Sequence, residues 1–333
     1  MIGFALIGTG TIAHQHAEAI KSLPGAKLLA IKSSDQKRAE AFAKQYNIPL
    51  ATTDYNLILN NKDIHAVDIV TVNNTHADLG ILAAEAGKHV LVEKPLDASE
   101  EKAQQLITAC KKNKVILGVI SQFRFDKALI QLKKLLTEEK LGKPLKGKVS
   151  MKWHRSEDYF NANQAWRKNA TQAGGGVLMV QAIHHLDYLR YLLGEVKTVA
   201  ATLHYKTGTS IEETADLQLT FQSGTIIDVH ATTATPKTYA DTFELTCEQA
   251  TATLKRNKYY HSLRLSTQPL SFLKNLTHYK KGTIKDNILD FTTAIKENKH
   301  PAITGEDALQ TLHLVYACYT AEKLKRSVEI TSL

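Results

Sequence analysis

The feature that most constrains this fold is a regular alternation of strand and helix patterns before residue 121. Short β-rich runs recur along the chain, and apolar residues in the segments between them follow helical spacing. The strand runs are Ile2 to Ile7, Lys27 to Lys32, Ala66 to Thr71, His89 to Val92 and Val115 to Val119. Repeated βαβ units with right-handed crossovers build a parallel sheet with helices on both faces. The alternation therefore predicts a doubly wound N-terminal domain over residues 1–121.

The pattern changes in the second part of the chain. A basic helix over Lys127 to Lys140 leads to a strand over Leu145 to Trp153, and Val196 to Leu265 is predicted to form strand after strand. Two closing helices are expected, near Thr283 to Glu297 and Gly305 to Arg326. We predict an α/β plus α+β chain whose second domain, residues 122–333, has a large, mostly antiparallel, open-faced sheet with helices on one face.

The composition excludes a disordered, a collagen-like and a coiled-coil chain. The chain has 333 residues, of which 43% are apolar and 23% charged, as in ordinary globular proteins. The cysteines, Cys110, Cys247 and Cys318, are too widely spaced for a disulfide framework or a structural zinc site. Because no cleavable signal or spanning segment is evident, we expect a cytoplasmic protein with no membrane association, and the chemistry predicted below needs no metal.

The distribution of charge points to the kind of ligand. Residues from 121 onward carry 29 basic and 21 acidic side chains, and therefore +8 of the formal charge of +9. No run of Lys or Arg exceeds two residues and no nucleic-acid motif is present. The excess charge therefore favours an anionic small substrate over a nucleic acid.

A glycine-rich turn, Gly8-Thr9-Gly10-Thr11-Ile12-Ala13, directly follows the first strand and opens a helix. A pyrophosphate binds to backbone N–H groups at a helix N-terminus, and a side chain at Gly8 or Gly10 would block its approach. In this setting the turn predicts a dinucleotide site, and an ordinary tight turn between strand and helix is the alternative.

The end of the second strand bears on which dinucleotide binds. Ser33 and Ser34 stand where an acid that binds the adenosine ribose would be expected, and Lys37 and Arg38 are close by. Hydroxyls and cations suit a 2′-phosphate, so NADP is favoured over NAD. The alternatives are that Asp35 reaches the ribose, or that Lys37 and Arg38 are merely solvated.

Further motifs occur along the whole chain. They are Thr71-Val72-Asn73-Asn74-Thr75-His76, Ala86-Gly87-Lys88-His89-Val90, Glu93-Lys94-Pro95-Leu96, Gln122-Phe123-Arg124-Phe125, Trp166-Arg167, and Gly174-Gly175-Gly176 followed by His184 and Asp187. With these motifs the chain resembles the glucose-fructose oxidoreductase, inositol dehydrogenase and MocA-like family over essentially all of its length. The resemblance implies a Rossmann domain that binds NAD or NADP, and a second domain that binds a small sugar-like substrate and forms a homodimer or homotetramer through its sheet.

The resemblance also implies an activity. Hydride would move between the nicotinamide and a carbinol carbon of a sugar, cyclitol or sugar derivative, including anionic or nucleotide-linked sugars. The implied cofactor contacts are Gly8, Thr9, Gly10, Thr11, Ile12, Ala13, Ser33, Ser34, Arg38, Thr71, Asn73, His76, Glu93, Lys94, Gln122, Trp166 and Arg167.

Two residues of the family pattern are the predicted catalytic groups. The ammonium of Lys94 would stabilise a developing alkoxide, the alternative being a solvated lysine. His184 shares a helical face with Val177 and Val180, and its imidazole would accept the hydroxyl proton, the alternative being a core histidine.

Val180 departs from the family pattern, because many relatives carry Asp at this position. Either Lys94 and His184 suffice, or another polar residue such as Asn73 or Gln181 contributes, or catalysis has been lost.

Substrate contacts are expected from the second domain. Both tryptophans of the chain lie between residues 153 and 166, together with arginines and other aromatic residues that suit sugar faces and anionic groups. The predicted contacts are Arg124, Arg155, Tyr159, Gln181 and His185. For His185 a plain surface position is an equal alternative, and Trp166 has core packing as its alternative.

Two rival functions stay open at this point. Val180 favours a catalytically degenerate, NAD(P)-binding regulator on the same fold. A dihydrodiol or biliverdin-type reductase is the other rival, and the basic, arginine-containing loop argues against its flat apolar substrate.

Overall fold

The computed structural model describes residues 1–206, 208–257, 261–267 and 275–330, which form two compact units. The first unit comprises Met1–Ser121 and Ile284–Leu309. The second unit comprises Gln122–Thr283 and Gln310–Leu333. The first unit therefore contains a late segment of the chain that the division at residue 121 had assigned to the second domain.

The first unit contains a six-stranded sheet. Its strands are β1 (Ile2–Ile7), β2 (Ala26–Lys32), β3 (Leu50–Thr52), β4 (Ala66–Ile69), β5 (His89–Val92) and β6 (Leu117–Val119). The helices between them are α1 (Thr11–Lys21), α2 (Gln36–Tyr46), α3 (Asn56–Leu59), α4 (His76–Glu85) and α5 (Glu100–Lys112). The strand order is β3-β2-β1-β4-β5-β6 and every pair is parallel, which confirms the predicted doubly wound fold.

Local sequence explains much of this unit. All six residues of β1 are buried, as expected of a central strand covered on both faces. Ser99 caps α5 by accepting a hydrogen bond from the Lys102 N–H at 3.4 Å, and Glu100 and Glu101 occupy the first turn, where the helix dipole favours acids. Sequence analysis missed β3, because three residues are too few to show a period.

The second unit contains a nine-stranded sheet. Its strands are β7 (Pro144–Lys152), β8 (Val196–Tyr205), β9 (Glu212–Phe221), β10 (Ile226–Thr232), β11 (Asp241–Cys247), β12 (Ala250–Arg256), β13 (His261–Thr267), β14 (Asn275–Tyr279) and β15 (Val328–Glu329). Their order is β14-β13-β12-β11-β7-β10-β9-β8-β15, and the one parallel pair among these strands is β7 with β10. The predicted large, mostly antiparallel sheet is confirmed.

Helices accompany this sheet. They are α6 (Lys127–Thr137), α7 (Glu157–Asn161), α8 (Ala170–Ala173) and α9 (Ile183–Leu193), with 3-10 turns at Gln122–Phe125 and Asn163–Lys168 and a π-helical segment at Leu178–Ala182. Most residues of α9 are buried, so it is a core helix of this unit.

Two helices close the chain, α10 (Ile284–Glu297) and α11 (Gly305–Leu324). Phe291 of α10 lies 6.4 Å from Phe4 of β1, measured between ring centroids. The Asn287 side chain accepts a hydrogen bond from the Ser121 N–H at 2.8 Å. These contacts explain why Ile284–Leu309 belongs to the first unit, although sequence analysis had placed it elsewhere.

No helix in the described ranges has both the length and the apolar character needed to span a bilayer.

Candidate functional site

The glycine turn lies at the carboxyl end of β1. Gly8 has φ of +118°, and a Cβ there would lie 2.8 Å from the Val70 carbonyl oxygen, so glycine is required. Gly10 is the N-cap of α1, and a Cβ on it would meet no atom within 4 Å. Among the described residues, no side chain caps the start of α1. Ala13, in the first turn of α1, is fully buried. The turn thus presents open helix N–H groups that suit a pyrophosphate.

The end of β2 lies beside this turn. Ser33 is buried, and its hydroxyl oxygen is 3.0 Å from that of Thr9. The exposed Arg38 donates from Nη2 to the Ser34 hydroxyl at 3.0 Å. Asp35 caps α2, because its carboxylate accepts the Arg38 N–H at 2.8 Å. The Ser34 hydroxyl and the Arg38 guanidinium are therefore paired with each other after β2. The Asp35 carboxylate is engaged as the cap of its own helix.

A buried histidine lies behind the Glu93-Lys94-Pro95 motif, and sequence analysis missed it. His16 has no exposed surface; its Nδ1 is 2.7 Å from Asp68 Oδ2 and its Nε2 is 3.1 Å from Glu93 Oε1. Burial opposes charge on the ring, but the Asp68 and Glu93 carboxylates outweigh it and raise the pKa of His16 to about 10. The ring is therefore an imidazolium at neutral pH.

The imidazolium holds the motif through Glu93. Burial alone would raise the pKa of Glu93, but the hydrogen bond and charge of His16 lower it below its ordinary value. The other carboxylate oxygen of Glu93 accepts the Lys94 N–H at 3.1 Å. Lys94 is half-buried and precedes a cis peptide bond to Pro95. The Glu93 side chain thus supports the loop from within, and its cofactor contact stays a prediction.

His76, another predicted cofactor contact, is bonded to the backbone of neighbouring segments. Its ring is fully buried, with Nδ1 donating to the Pro95 carbonyl at 2.9 Å and Nε2 lying 3.2 Å from the Thr71 carbonyl oxygen. Burial lowers the pKa of His76, and the hydrogen bond from Nδ1 ties the ring to the Pro95 carbonyl. Asn73 is buried in the short 3-10 turn Asn73–Thr75, and the half-buried Thr71 bonds through its hydroxyl to Thr75 at 2.7 Å.

These segments share one edge of the sheet. The glycine turn, Ser33, Thr71 and Lys94 follow the carboxyl ends of β1, β2, β4 and β5. The order of strands reverses between β1 and β4, and ligands of doubly wound sheets bind at such a switch point. A signal for His16 existed in the sequence, because it shares the buried face of α1 with Ala13 and Ala17.

In the second unit, His184 begins α9 and is buried against aromatic residues. Its ring stacks on Phe123 at 4.6 Å between centroids, and the Arg256 guanidinium carbon lies 3.2 Å from the centre of the same Phe123 ring. Val180 is half-buried in the π-helical segment just before α9. Because π-helical turns bond i to i+5, the shared face predicted from α-helical spacing for Val177, Val180 and His184 is not maintained.

The start of this segment is anchored by Glu212, which sequence analysis also missed. Its carboxylate accepts the N–H of Gly176 at 2.8 Å and of Leu178 at 2.9 Å, and the Tyr319 hydroxyl donates to it at 2.9 Å. Burial raises the pKa of Glu212. A Cβ on Gly175 would collide with the Tyr319 hydroxyl, and one on Gly176 with the Glu212 backbone. The glycines therefore permit close packing around this carboxylate.

Two predicted substrate contacts are engaged inside the second unit. Arg124 donates from Nε and Nη2 to the Asp187 carboxylate at 2.9 and 2.6 Å, with both side chains largely buried. His185 is fully buried, with Nε2 3.3 Å from Asp241 Oδ2, in contact with Trp153. Each of these side chains is engaged in the core, so the surface alternative for His185 is wrong. The substrate contacts of Arg124 and His185 stay predictions.

The aromatic loop brings the remaining predicted residues together. Arg155 and Arg167 both stack on Tyr159, and Gln181 donates from Nε2 to the Tyr159 hydroxyl at 3.0 Å. Trp166 is half-buried and stacks with Arg167, so the alternative of core packing for Trp166 is wrong. Gln122 is half-buried in the 3-10 turn that begins the unit.

Comparison with known proteins agrees with the class that fold and site define, a Rossmann-type dinucleotide-binding domain joined to a large-sheet domain. Residues 2–121 match the family model of the oxidoreductase family with an NAD-binding Rossmann fold, and residues 129–253 match the GFO/IDH/MocA C-terminal domain. The chain belongs to the GFO/IDH/MocA oxidoreductase family.

Individual relatives align over nearly the whole chain. The 1,5-anhydro-D-fructose reductase of Ensifer adhaerens is 26% identical, over 98% of both chains. The scyllo-inositol 2-dehydrogenase (NAD(+)) of Bacillus subtilis (strain 168) is 28% identical, over 93% of this chain and 91% of its own. A solved structure of levoglucosan dehydrogenase in complex with NADH and levoglucosan superposes with a TM-score of 0.89 at 23% identity, covering 100% of each chain.

Proposed function

We propose that this protein is an NAD(P)-dependent oxidoreductase that transfers hydride to or from a carbinol carbon of a sugar, cyclitol or sugar derivative. The observation that carries the proposal is the edge of the six-stranded sheet, where the uncapped start of α1 and Lys94 both lie, in a chain of this family. Relatives named as sugar and cyclitol dehydrogenases or reductases support the substrate class.

The roles of the two catalytic residues follow from their chemistry. The bound nicotinamide would supply or accept the hydride. The Lys94 ammonium would stabilise negative charge on the reacting oxygen, and the His184 imidazole would take or return the hydroxyl proton. Gln181 is hydrogen-bonded to Tyr159, so it is a weaker candidate than Asn73 to replace the polar group absent at Val180.

NADP is the proposed preferred cofactor. The support is the Ser34 hydroxyl already bonded to Arg38, together with the buried Ser33 and the engagement of Asp35 as a helix cap. A carboxylate free to bind a ribose would have supported NAD instead. The three cysteines are free and buried, which supports the cytoplasm as the proposed compartment.

A second candidate function is a dinucleotide-binding regulator without turnover, which Val180 favours because its side chain can neither bind a substrate hydroxyl nor relay a proton.

The test is a paired titration with NADPH and NADH, followed by a screen of neutral, phosphorylated and nucleotide-linked sugars for reduction of bound NADP⁺ or oxidation of bound NADPH, because hydride can leave a carbinol carbon or enter the corresponding carbonyl. We expect tighter binding of NADPH, and turnover with at least one sugar class. Lys94→Ala should lower kcat by roughly 10²- to 10⁴-fold while the dinucleotide still binds. A regulator would bind the dinucleotide and turn over none of the sugars, and failure of both dinucleotides to bind at micromolar concentration would refute the proposal altogether.

A further inference from the structure

Five side chains of the second unit form a continuous stack of rings and guanidinium groups. The Arg155 guanidinium carbon lies 5.4 Å from the ring centroid of Trp153 and 4.9 Å from that of Tyr159. The Arg167 guanidinium carbon lies 4.5 Å from the centroids of both Tyr159 and Trp166. The two guanidinium groups are therefore held on one tyrosine ring, and each has a tryptophan as its second neighbour.

Within the described ranges, no carboxylate neutralises the two positive charges of this stack. Among the described residues, no carboxylate oxygen lies within 4.0 Å of the Arg155 or Arg167 guanidinium nitrogens. The nearby Glu157 is paired with Lys168 at 3.1 Å and Lys206 at 2.5 Å. Arg155 donates from Nη1 to the His154 carbonyl at 3.0 Å, but the Nε–H groups of both arginines are buried and have no acceptor among the described residues. Buried donors of this kind are rare in folded proteins and call for a partner.

We propose that Arg155 and Arg167 together bind a carboxylate or phosphate group of the substrate, which makes the substrate an anionic sugar derivative and gives Arg167 a substrate role in place of the cofactor contact that the family resemblance implies. This inference rests on the proposed function and deepens it. An anion would neutralise the two charges and accept their N–H groups, and a planar guanidinium offers the paired donors that carboxylates and phosphates accept.

The position of the stack ties this anion site to the predicted catalytic histidine. Gln181 donates to the Tyr159 hydroxyl at 3.0 Å and is itself buried. It belongs to the π-helical segment that leads directly into α9, where His184 lies three residues further on. The ring that carries both arginines is thus fixed to the segment that carries the proposed proton acceptor.

Packing alone is an insufficient explanation for this arrangement. Stacking a guanidinium on an aromatic ring stabilises a loop only weakly at an exposed site. Two guanidinium groups on the same ring also repel each other, and their buried Nε–H groups stay unsatisfied. An anion removes both unfavourable contributions.

The stack supplies its own reporter, because Trp153 and Trp166 are the two tryptophans of the chain. Intrinsic fluorescence of the full-length protein, with and without NADP⁺, is measured during titration with D-glucuronate, D-glucose 6-phosphate, inorganic phosphate and D-glucose. We expect a saturable change with at least one of the anions and none, or a much weaker one, with D-glucose.

The variants separate anion recognition from general effects of charge. Arg155→Met should raise the dissociation constant of the responding anion by roughly tenfold or more, and Arg155→Lys should restore part of the affinity, since it keeps the charge without the planar donors. Arg264→Met is the matched control, because Arg264 is exposed on β13 and loses the same charge. It should leave the dissociation constant unchanged.

Several outcomes would overturn the proposal. One is the lack of a fluorescence change with any of the three anions, and another is a change that Arg155→Met leaves intact. A third is a change with NADP⁺ alone that Arg155→Met abolishes, which would assign the site to the cofactor's phosphate. The binding assay requires no turnover. A protein that binds the anion through Arg155 but binds neither NADP⁺ nor NADPH would therefore contradict the proposed function and leave the anion site standing.

Discussion

His16 is a charged residue in the interior of the first unit, between the carboxylates of Asp68 and Glu93. The Glu93 carboxylate also faces Lys94 and His76. Burial raises the pKa of Asp68, and one of its oxygens has no hydrogen-bond donor among the described residues. The single imidazolium therefore lies against two buried acidic side chains. Glu93 connects it to the Lys94 backbone, because the Glu93 carboxylate accepts the Lys94 N–H.

The raised pKa of His16 sets the sign of a pH dependence. The folded-state pKa of about 10 lies above the ordinary value of 6.5, so the stabilisation is complete below pH 6.5 and is lost as pH rises through about 10. We expect the free energy of unfolding in urea to fall between pH 7 and pH 10, and to fall less in His16→Asn.

The same variant should also be less stable at neutral pH. We expect a loss of about 3–5 kcal/mol, because the substitution leaves two buried carboxylates without their cation. His300→Asn is the control, since His300 is exposed, and its pH profile should follow that of the unmodified protein. If the free energy of unfolding of the unmodified protein falls no more steeply between pH 7 and pH 10 than that of His16→Asn, the imidazolium is not the group responsible for the pH dependence.

At the scale of elements, the segment from Gly174 to α9 is held from its N-terminal end. Glu212 of β9 accepts two backbone N–H groups of this segment, and Gly176 packs directly on the Glu212 backbone. A triple glycine resembles a phosphate-binding loop when only the sequence is considered. Here it serves close packing between a helix start and a strand.

Substitution of Gly176 should therefore be costly. A Cβ at this position would lie 2.0 Å from the Glu212 carbonyl oxygen, which belongs to a strand and cannot move away. We expect Gly176→Ala to destabilise the protein by about 3 kcal/mol or more, as measured by urea unfolding. Gly224→Ala is the comparison: its φ is +85° in the turn between β9 and β10 and its surroundings are open, so about 1 kcal/mol is expected. Equal losses in the two variants would argue against the packing explanation.

At the scale of the whole molecule, one face of the nine-stranded sheet is uncovered among the described residues. Its groove of about 850 Å³ is lined largely by polar and small side chains, including Lys148, Thr202, Asp216, Gln218, His230 and Glu244. An interface between folded subunits needs no more apolar area than an ordinary surface, so a polar face does not preclude association.

We therefore expect a homodimer or homotetramer that associates through this face and weakens at high salt, because its contacts would be polar. Sedimentation at low and high salt measures the association state directly. Thr202→Arg places a bulky cation on the exposed outer face of β8 and should yield monomers. Thr293→Arg, at an exposed position of α10, should leave the assembly intact. A monomer at every salt concentration would contradict this expectation.

Local patterns were sufficient for the architecture and for the first half of the site. The strand runs, the cap at Ser99 and the glycine turn at Gly8 each depend on neighbours within a few residues, and all three are present in the structure. The grouping of Ile284–Leu309 with the first unit depends on contacts such as that between Phe291 and Phe4, which no local period encodes.

By itself, the sequence determined the order of elements, the dinucleotide turn and the residues able to carry charge. Only the tertiary structure decided which of those charges are engaged elsewhere: Arg124 pairs with Asp187, 63 positions away, and His16 with Glu93, 77 positions away. The physical reason is that backbone propensity is a local property, whereas the protonation and availability of an ionisable side chain depend on burial and on partners that folding brings from distant parts of the chain.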